Sequence, residues 1–270
     1  MKKIADVSVI VPCYRCSITI ERALDSIVAQ TLQPNEIILI DDCSNDANHT
    51  LDKLYKFKES FSDLTVKIIA LSENVGAGQA RNAGWNIANS TWVAFLDADD
   101  AWHPQKLEFQ LNWLQFNSDI DLCGHLSLFV KSIPENSLSH LTLNSINSRN
   151  IHLSDMLISN CLPTRTVMIR TNIPLRFGVQ RNAEDYLLWM QVIASGFKAS
   201  CLQLQLAFCF RPEYSSGGVS GQLITHEKWE LKTLHSLYLD RSINFFIFII
   251  ASSWSLLKFI RRIMIRILNR

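Results

Sequence analysis

The 270 residues lack several things, and each absence closes a class of function. They lack charge excess. The 26 Lys and Arg stand against 25 Asp and Glu, a formal net charge of +1, which removes any general electrostatic case for nucleic-acid binding. They lack an ordinary transmembrane run. The apolar stretch Asn244 to Leu257 is interrupted by Ser252, Ser253 and Ser255 and falls short of the roughly 20 residues a span needs. They lack a disulfide framework: Cys13, Cys16, Cys43, Cys123, Cys161, Cys201 and Cys209 are scattered and odd in number, with no secretory signal before them. Reduced thiols in a cytosolic compartment are therefore expected. Cys13 and Cys16 form a lone Cys-x-x-Cys with no second pair at zinc spacing, so two buried small residues are the leading reading over a metal or redox pair.

What remains is globular composition, 48% hydrophobic and 19% charged, in a length that suits one large α/β domain with an appendage. Val7 to Val11 reads as a buried strand ended by Pro12, and Ile20, Ala23, Leu24, Ile27 and Val28 then recur at helical spacing. Glu36 to Ile40 is the next strand, with Asp41 and Asp42 at its carboxyl end. Asp42 has two readings, a ligand contact or an Asx-type cap of the following helix, a job that Ser44, Asn45 or Asp46 could also do. Val66 to Leu71 gives a third strand, followed by the small-residue segment from Asn74 to Gly84. Its amides suit an anion at a helix start, with Arg81 one turn in, and close packing of that helix on the sheet explains it equally well.

The fourth strand carries the densest chemistry. Trp92 to Asp100, WVAFLDADD, ends an apolar run in Asp97, Asp99 and Asp100. Clustered carboxylates repel one another, and a hard divalent cation bridging a phosphate relieves the repulsion. Pro104 opens the helix after it, and His103 is taken as a surface residue without a role. Four strand-then-helix units in sequence imply a parallel, doubly wound sheet with its ligands at the carboxyl edge. Asp100 stays open between acceptor contact and support of its loop.

Beyond these units, a short strand is expected from Ile120 into Cys123, a long loop over Ser132 to Asn150, and an added strand over Thr164 to Arg170. Glu184 and Asp185 fall in the first turn of a helix from Tyr186 to Ser195, where a helix dipole favours acids. Lys198 to Phe210 is extended and ends at Arg211. From Lys258 onward, Ile260, Ile263, Met264, Ile267 and Leu268 repeat at helical spacing among Lys258, Arg261, Arg262, Arg266 and Arg270. A basic amphipathic helix lying on an anionic membrane surface is expected, the other reading being a tail packed on its own domain.

VSVIVPCY, IILIDDCSND, ENVGAGQARNAG, FLDADDAWHPQKLEFQ and AEDYLLWMQ, in that order, resemble the family 2 inverting glycosyltransferases of GT-A fold over most of positions 7 to 220. The resemblance implies a Rossmann-like, mostly parallel central sheet flanked by helices. It implies a domain over 1–220, nucleotide-binding to about 125 and acceptor-binding beyond, and a helical tail over 221–270. Pro12 and Tyr14 would edge the nucleotide pocket, and Asp42 would hydrogen-bond the uracil with help from Arg81. Asp97 would face the ribose or sugar, Asp99 would ligate Mn²⁺ or Mg²⁺ on the diphosphate, and Arg211 would sit near that diphosphate. Asp185 would be the catalytic base, with Glu184 beside it. Departures are Arg15 and Ser17 where Asn and an acid are common, Cys43 in place of Gly, and Glu213 in place of His.

The implied reaction moves a hexose from UDP-glucose or UDP-galactose to a lipid-linked acceptor, a polyprenyl-diphosphate N-acetylhexosamine of O-antigen or capsule synthesis. It would run at the cytoplasmic face of the bacterial inner membrane and form a β-linkage. Two alternatives stand beside it. A metal-dependent phosphoryl transferase is disfavoured because a phosphatase wants Asp-x-Asp-x-Thr after the first strand, and a nucleotidyltransferase wants a Gly-rich basic loop where Pro12-Cys13-Tyr14-Arg15 stands. A non-catalytic nucleotide-sugar-binding module would keep the fold without the intact acids at 42, 97, 99 and 185 being needed.

Overall fold

In the computed structural model, which describes residues 4–134, 141, 146–210 and 223–268, alternation along the first strand sorts the core into two layers. Strand β1 (Ile4–Cys13) sends Val7, Val9 and Val11 to one side and Ile10 to the other. The first side packs against Ile20, Leu24 and Ile27 of α1 (Ile20–Val28), Leu54 and Phe57 of α2 (His49–Ser60), and Leu107 and Leu114 of α4 (Lys106–Phe116). On the second side, Ile38 and Ile40 of β2 (Gln33–Asp41) join Ile10 under Ala80 and Trp85 of α3 (Ala77–Asn86). A Cβ on Gly84 of α3 would stand 2.8 Å from Ile40 Cδ1 and 2.9 Å from Ile10 Cγ2. Close packing therefore accounts for that glycine.

With β3 (Val66–Ala70) and β4 (Trp92–Phe95), these strands form a parallel half in the order β3-β2-β1-β4. The other half is mixed. Strand β8 (Met168–Arg170) runs antiparallel between β4 and β6 (Leu122–Phe129), and β6 pairs in parallel with β9 (Ala199–Cys209). Two short strands, β5 (Ala101–Trp102) and β7 (Ser148–Ile151), pair antiparallel with β9. The helices α5 (Leu153–Ile158) and α6 (Glu184–Ala194) complete the covering layers.

Several expectations are corrected. The strand foreseen at Thr164 to Arg170 is a 3₁₀ turn over Thr164–Thr166 followed by three strand residues. Pro163 sets the turn, and the Thr166 hydroxyl donates back to the Pro163 carbonyl at 2.8 Å. The strand foreseen at Ile120 to Cys123 continues to Phe129 because β9 offers a full-length partner. The long loop expected over Ser132 to Asn150 ends early, because 148–150 pair with β9 as the start of β7; within it, 135–140 and 142–145 lie outside the described residues. His103 is buried, with its main-chain carbonyl taken by Gln30 Nε2 at 2.8 Å.

The C-terminal segment is a helical pair, α7 (Leu223–Leu239) and α8 (Phe245–Leu268). Leu237 joins the second core layer, and Lys258 Nζ donates to the Ile158 carbonyl at 3.0 Å. The three serines do not interrupt α8. Lys258 and Arg262 are not presented outward as a basic face. They pair with Glu230 at 2.6 Å and with Glu227 and Glu230 at 3.3 Å each. Outward-facing instead are Phe246, Ile250 and Leu257, with exposures of 77%, 69% and 59%. Among the described residues no helix is long and apolar enough to cross a membrane.

Candidate active site

The carboxyl ends of β1, β2 and β4 and the start of α6 surround a cavity of about 880 Å³. Pro12, Tyr14, Asp42, Arg81, Asp97, Asp99, Glu184 and Asp185 all line it. Arg211, the ninth candidate, lies outside the described residues.

Asp42 is 2% exposed, and its carboxylate is heavily engaged. Val75 N–H donates to Oδ1 at 2.8 Å, while Gly76 N–H and Asn74 Nδ2 donate to Oδ2 at 2.9 and 3.0 Å. Those are the amides that sequence reasoning offered to an anion, so part of that donor capacity serves Asp42. Gly76 holds φ 88, a left-handed backbone that glycine takes without strain. Asp42 does not cap α2: the N-cap residue is Asn48, without a side-chain cap bond, and a first-turn amide is taken instead by Asp46, whose Oδ2 accepts from Thr50 N–H at 3.1 Å and from Thr50 Oγ1 at 2.6 Å.

Arg81 stands with Asp97 and Glu184. Its Nη2 meets Asp97 Oδ1 at 2.6 Å and its Nη1 meets Glu184 Oε1 at 3.1 Å, with the guanidinium carbon 5.4 Å from the Phe177 ring. Phe177 belongs to an aromatic floor with Phe95, Trp85 and Trp189, its ring centroids 5.4 to 6.2 Å from theirs. Burial alone would lower the Arg81 pKa, but Asp97 and Glu184 raise it above its ordinary value. Burial pushes the Glu184 carboxyl up, opposed by Arg81 and reinforced by Asp185. A Cβ on Gly78 would meet Glu184 Cγ at 2.8 Å, so the small residue leaves room for this pair.

Both acids at the α6 start lie in its first turn, as the dipole reading requires. Each also has a specific partner. Asp185 accepts from Thr164 Oγ1 through Oδ2 at 2.6 Å and from Tyr186 N–H through Oδ1 at 2.7 Å. Ala183, just before them, has φ 54, an uncommon conformation for a residue with a Cβ.

The remaining acids of the β4 tip separate by environment. Asp99 is half-buried at the cavity wall, and Arg22 donates to its main-chain carbonyl. Asp100 is 3% exposed and faces Arg165 Nη1 at 3.5 Å. Burial pushes its carboxyl up to about 7, Asp97 adding to the effect and Arg165 opposing it. Of its two readings, the structure favours support of the loop. Cys13 and Cys16 are both buried thiols, as the leading reading held.

Arg15 and Cys43, two of the departures, both hold left-handed backbone, φ 47 and φ 55. Asn and Gly, the residues expected there, are the ones that adopt it readily. Sequence reasoning missed Thr164, Arg22 and Arg181. Arg181 clamps the Asn74 turn, its Nη1 donating to Asn74 Oδ1 at 2.9 Å and its Nη2 to the Asn74 carbonyl at 2.7 Å. Pro163 was the available signal for Thr164, since proline marks a turn and frees the next side chains from a ladder.

A parallel half-sheet with acids at its carboxyl edge, completed by a mixed half that brings a second acidic element to the same cavity, is the GT-A arrangement. Residues 8–178 match the family described as glycosyl transferase family 2, and the chain belongs to that family. It is 33% identical to the succinoglycan biosynthesis protein ExoO of Rhizobium meliloti (strain 1021), over 72% of this chain and 57% of that one. It is 29% identical to WfaP of Escherichia coli, a UDP-Glc:alpha-D-GlcNAc-diphosphoundecaprenol beta-1,3-glucosyltransferase, over 72% of each. Among solved structures, S. aureus TarS 1-349 in complex with UDP-GlcNAc superimposes with a TM-score of 0.66 at 20% identity, covering 86% of this chain and 66% of that one.

Proposed function

We propose that this chain transfers a hexose from UDP-glucose or UDP-galactose, with inversion, to a sugar hydroxyl of a lipid-diphosphate-linked N-acetylhexosamine in surface-polysaccharide synthesis, forming a β-linkage, with β-1,3 as the expected position. The observation that carries the reading is one cavity walled by Asp97 and Asp99 from the β4 tip and by Asp185 from the α6 start. The activity of WfaP supports UDP-glucose as donor and a lipid-diphosphate N-acetylhexosamine as acceptor.

In this reading Asp185 takes the proton of the acceptor hydroxyl. The acceptor oxygen forms its bond to the anomeric carbon as the carbon–oxygen bond to UDP breaks, and the electron pair leaves with the diphosphate. Thr164 and Tyr186 N–H hold the plane of the Asp185 carboxylate while lone pairs remain for the proton. Arg81 holds Asp97 toward the donor and keeps Glu184 beside the base. Asp42 shapes the nucleotide side by fixing the Asn74 to Gly76 turn.

A divalent cation fits the donor set. Asp99 brings hard carboxylate oxygens to the cavity wall, and among the described residues no group of three His, Cys, Asp or Glu forms a cage. Mg²⁺ and Mn²⁺ suit such sites, taking one or two protein carboxylates and completing their shell with phosphate oxygens and water. Bound at Asp99, the ion would supply Lewis-acid neutralisation of the departing diphosphate.

The outward apolar row of α8, with exposed Arg261 beside it, is proposed to rest in the interface of an anionic membrane at the cytoplasmic face, where a lipid-linked acceptor is presented. Phe246→Glu with Ile250→Glu should abolish co-sedimentation with phosphatidylglycerol vesicles; undiminished binding sinks this part. For the reaction itself, UDP release is measured with each UDP-hexose, Mn²⁺ and an alkyl-diphosphate N-acetylglucosamine. Asp185→Asn should lose about 10²-fold or more in turnover, the scale of general-base catalysis. Full turnover in that variant means the base lies elsewhere.

A further inference from the structure

A second cavity of about 190 Å³ adjoins the first. Asn182, Ala183 and Asp185 line both, so the two cavities meet at the Asp185 segment. The far wall of the second comes from Asn160 and from His226, Trp229 and Glu230 of α7, elements that the donor reading does not use. We propose that this second cavity is the acceptor-sugar subsite, with the Trp229 indole as the platform under a pyranose ring and Asn160 and His226 as hydrogen-bond partners of its hydroxyls. The proposal rests on the assignment of Asp185 as the base.

Three observations converge on it. The first is position. A base must reach the hydroxyl it deprotonates within about 3 Å, and the donor needs the larger cavity, so the acceptor requires separate space that touches Asp185. The second is size. At roughly 10–15 Å³ per water-sized site, about 190 Å³ holds on the order of 13 to 19 such sites, comparable to the non-hydrogen atoms of one sugar residue. The third is chemistry. A pyranose ring offers an apolar C–H face and a rim of hydroxyls, which matches an aromatic ring beside an amide and an imidazole.

Trp229 is held in place before any ligand arrives. With the Asn182 amide turned to satisfy both its groups, its oxygen accepts from Trp229 Nε1 at 2.9 Å and its nitrogen donates to the Arg181 carbonyl at 3.3 Å. The indole is thereby tied to the loop that leads into α6 and Asp185, and a pre-set platform loses less freedom on binding. Lys232 Nζ stands 4.5 Å over one ring face, so the sugar is assigned to the other. Arg262 Nη1 lies 3.2 Å from His226 Nδ1. A guanidinium only donates, so Nδ1 accepts and the His226 proton sits on Nε2. Because Arg262 belongs to α8, the same contact links the subsite to the helix whose apolar row faces outward.

The test uses the full chain with UDP-glucose, Mn²⁺ and alkyl-diphosphate N-acetylglucosamine. Trp229→Ala should raise the acceptor KM about tenfold or more, while the donor KM and the slow UDP release without acceptor stay within about twofold. Trp229→Phe should recover most of the loss, which separates a platform from general damage. An unchanged acceptor KM in Trp229→Ala, or a donor KM rising in step with it, overturns the subsite. Saturation-transfer NMR of methyl N-acetyl-α-glucosaminide, with UDP present, decides the matter independently of turnover. Transfer seen in the wild type and lost in Trp229→Ala supports the subsite, and equal or absent transfer in both overturns it. If the wild type binds this sugar but transfers no hexose, the reaction reading fails while the subsite stands.

Discussion

Replacing Arg81 by Met removes one cation that two carboxylates share. The Arg81 side chain is 6% exposed, and its partners are 2.6 Å (Asp97) and 3.1 Å (Glu184) away, themselves 27% and 11% exposed. Breaking a buried pair by removing one member costs about 3–5 kcal/mol, because the remaining charge stays buried without compensation. At about 2–4 °C per kcal/mol for a chain of this size, the melting temperature should fall by roughly 6–20 °C. The pH dependence sharpens the test. Burial already raises the Glu184 pKa and Arg81 holds it down, so the variant's Glu184 rises further. A carboxyl with a raised folded value contributes stability that is complete below its unfolded value and is lost as pH climbs through the folded one. The deficit of the variant should therefore be smaller at pH 5 than at pH 8. Denaturant titrations of both proteins at the two pH values measure it, and UDP release should be lost alongside. A deficit below about 1 kcal/mol, or one equal at both pH values, refutes the shared-cation argument.

Three further substitutions probe separate parts of the fold. Thr164→Val keeps the volume but removes the 2.6 Å donor to Asp185; a hydrogen bond to a charged group is worth about 1.5–3 kcal/mol, so turnover should drop about tenfold or more with UDP affinity by calorimetry unchanged, and wild-type turnover would contradict it. Gly78→Ala puts a methyl 2.8 Å from Glu184 Cγ and 3.2 Å from Phe177 Cβ; overpacking of this kind costs about 1–3 kcal/mol, visible as a lower denaturation midpoint, whereas an unmoved midpoint means the pair yields freely. Lys106 is fully buried, its Nζ has no hydrogen-bond partner among the described residues, and it sits 3.9 Å over the Trp102 ring. Burial pulls its pKa from 10.5 down to about 7, a penalty of order 5 kcal/mol offset by about 0.5–2 kcal/mol of cation–π attraction. Because a depressed value gives stability that is present above the unfolded pKa and lost as pH falls toward the folded one, Lys106→Met should be more stable than wild type by about 2–4 kcal/mol at pH 7 and the gap should close by pH 10. A gap that ignores pH would show that the amine is compensated.

The parallel half of the sheet was legible because its signals are local. Runs such as VSVIV and EIILI bury on both faces, and acids at their ends mark the ligand edge. The mixed half was not. Strand β8 is three residues and β5 is two, and each exists through a distant partner: Trp92 opposite Arg170, Ala101 opposite Phe208. No window of sequence contains both members. The site divides the same way. Asp42 was visible at its strand tip, but its use as a clamp depends on where the Asn74 turn comes to rest. Asp97 and Asp185 were joined only by resemblance, because 88 positions separate them and a fold must bring them to one cavity. Arg15 and Cys43 looked like departures in chemistry, yet both positions keep the left-handed backbone, so the turn geometry persists at roughly 1 kcal/mol of strain each.

The C-terminal helix shows how a periodic pattern can be read with its faces exchanged. In the sequence Ser252, Ser253 and Ser255 interrupt an apolar run, and the cations after them suit a basic amphipathic helix whose charged face meets an anionic membrane surface. Ser255 in fact points inward, its Oγ donating to Glu227 Oε1 at 2.9 Å while being 1% exposed. Lys258 and Arg262 follow on the same side, where Glu230 and Glu227 receive them. Placing Ser255, Lys258 and Arg262 against α7 leaves Phe246, Ile250 and Leu257 on the outside, with Ser253 and Arg261 exposed as well. That arrangement is the reverse of a helix that packs on a core in water, where the apolar stripe is hidden. Hydropathy has no sense of direction, so composition alone permits both orientations. What selects between them is the pair of acids at 227 and 230, which are buried at 4% and 6% and require cations from α8. The outward apolar row is thus a consequence of satisfying two glutamates inside, and it leaves α8, long enough but interrupted by Lys258, Arg261 and Arg262 and so no membrane span, with an exposed apolar stripe of the kind the proposed interfacial contact requires.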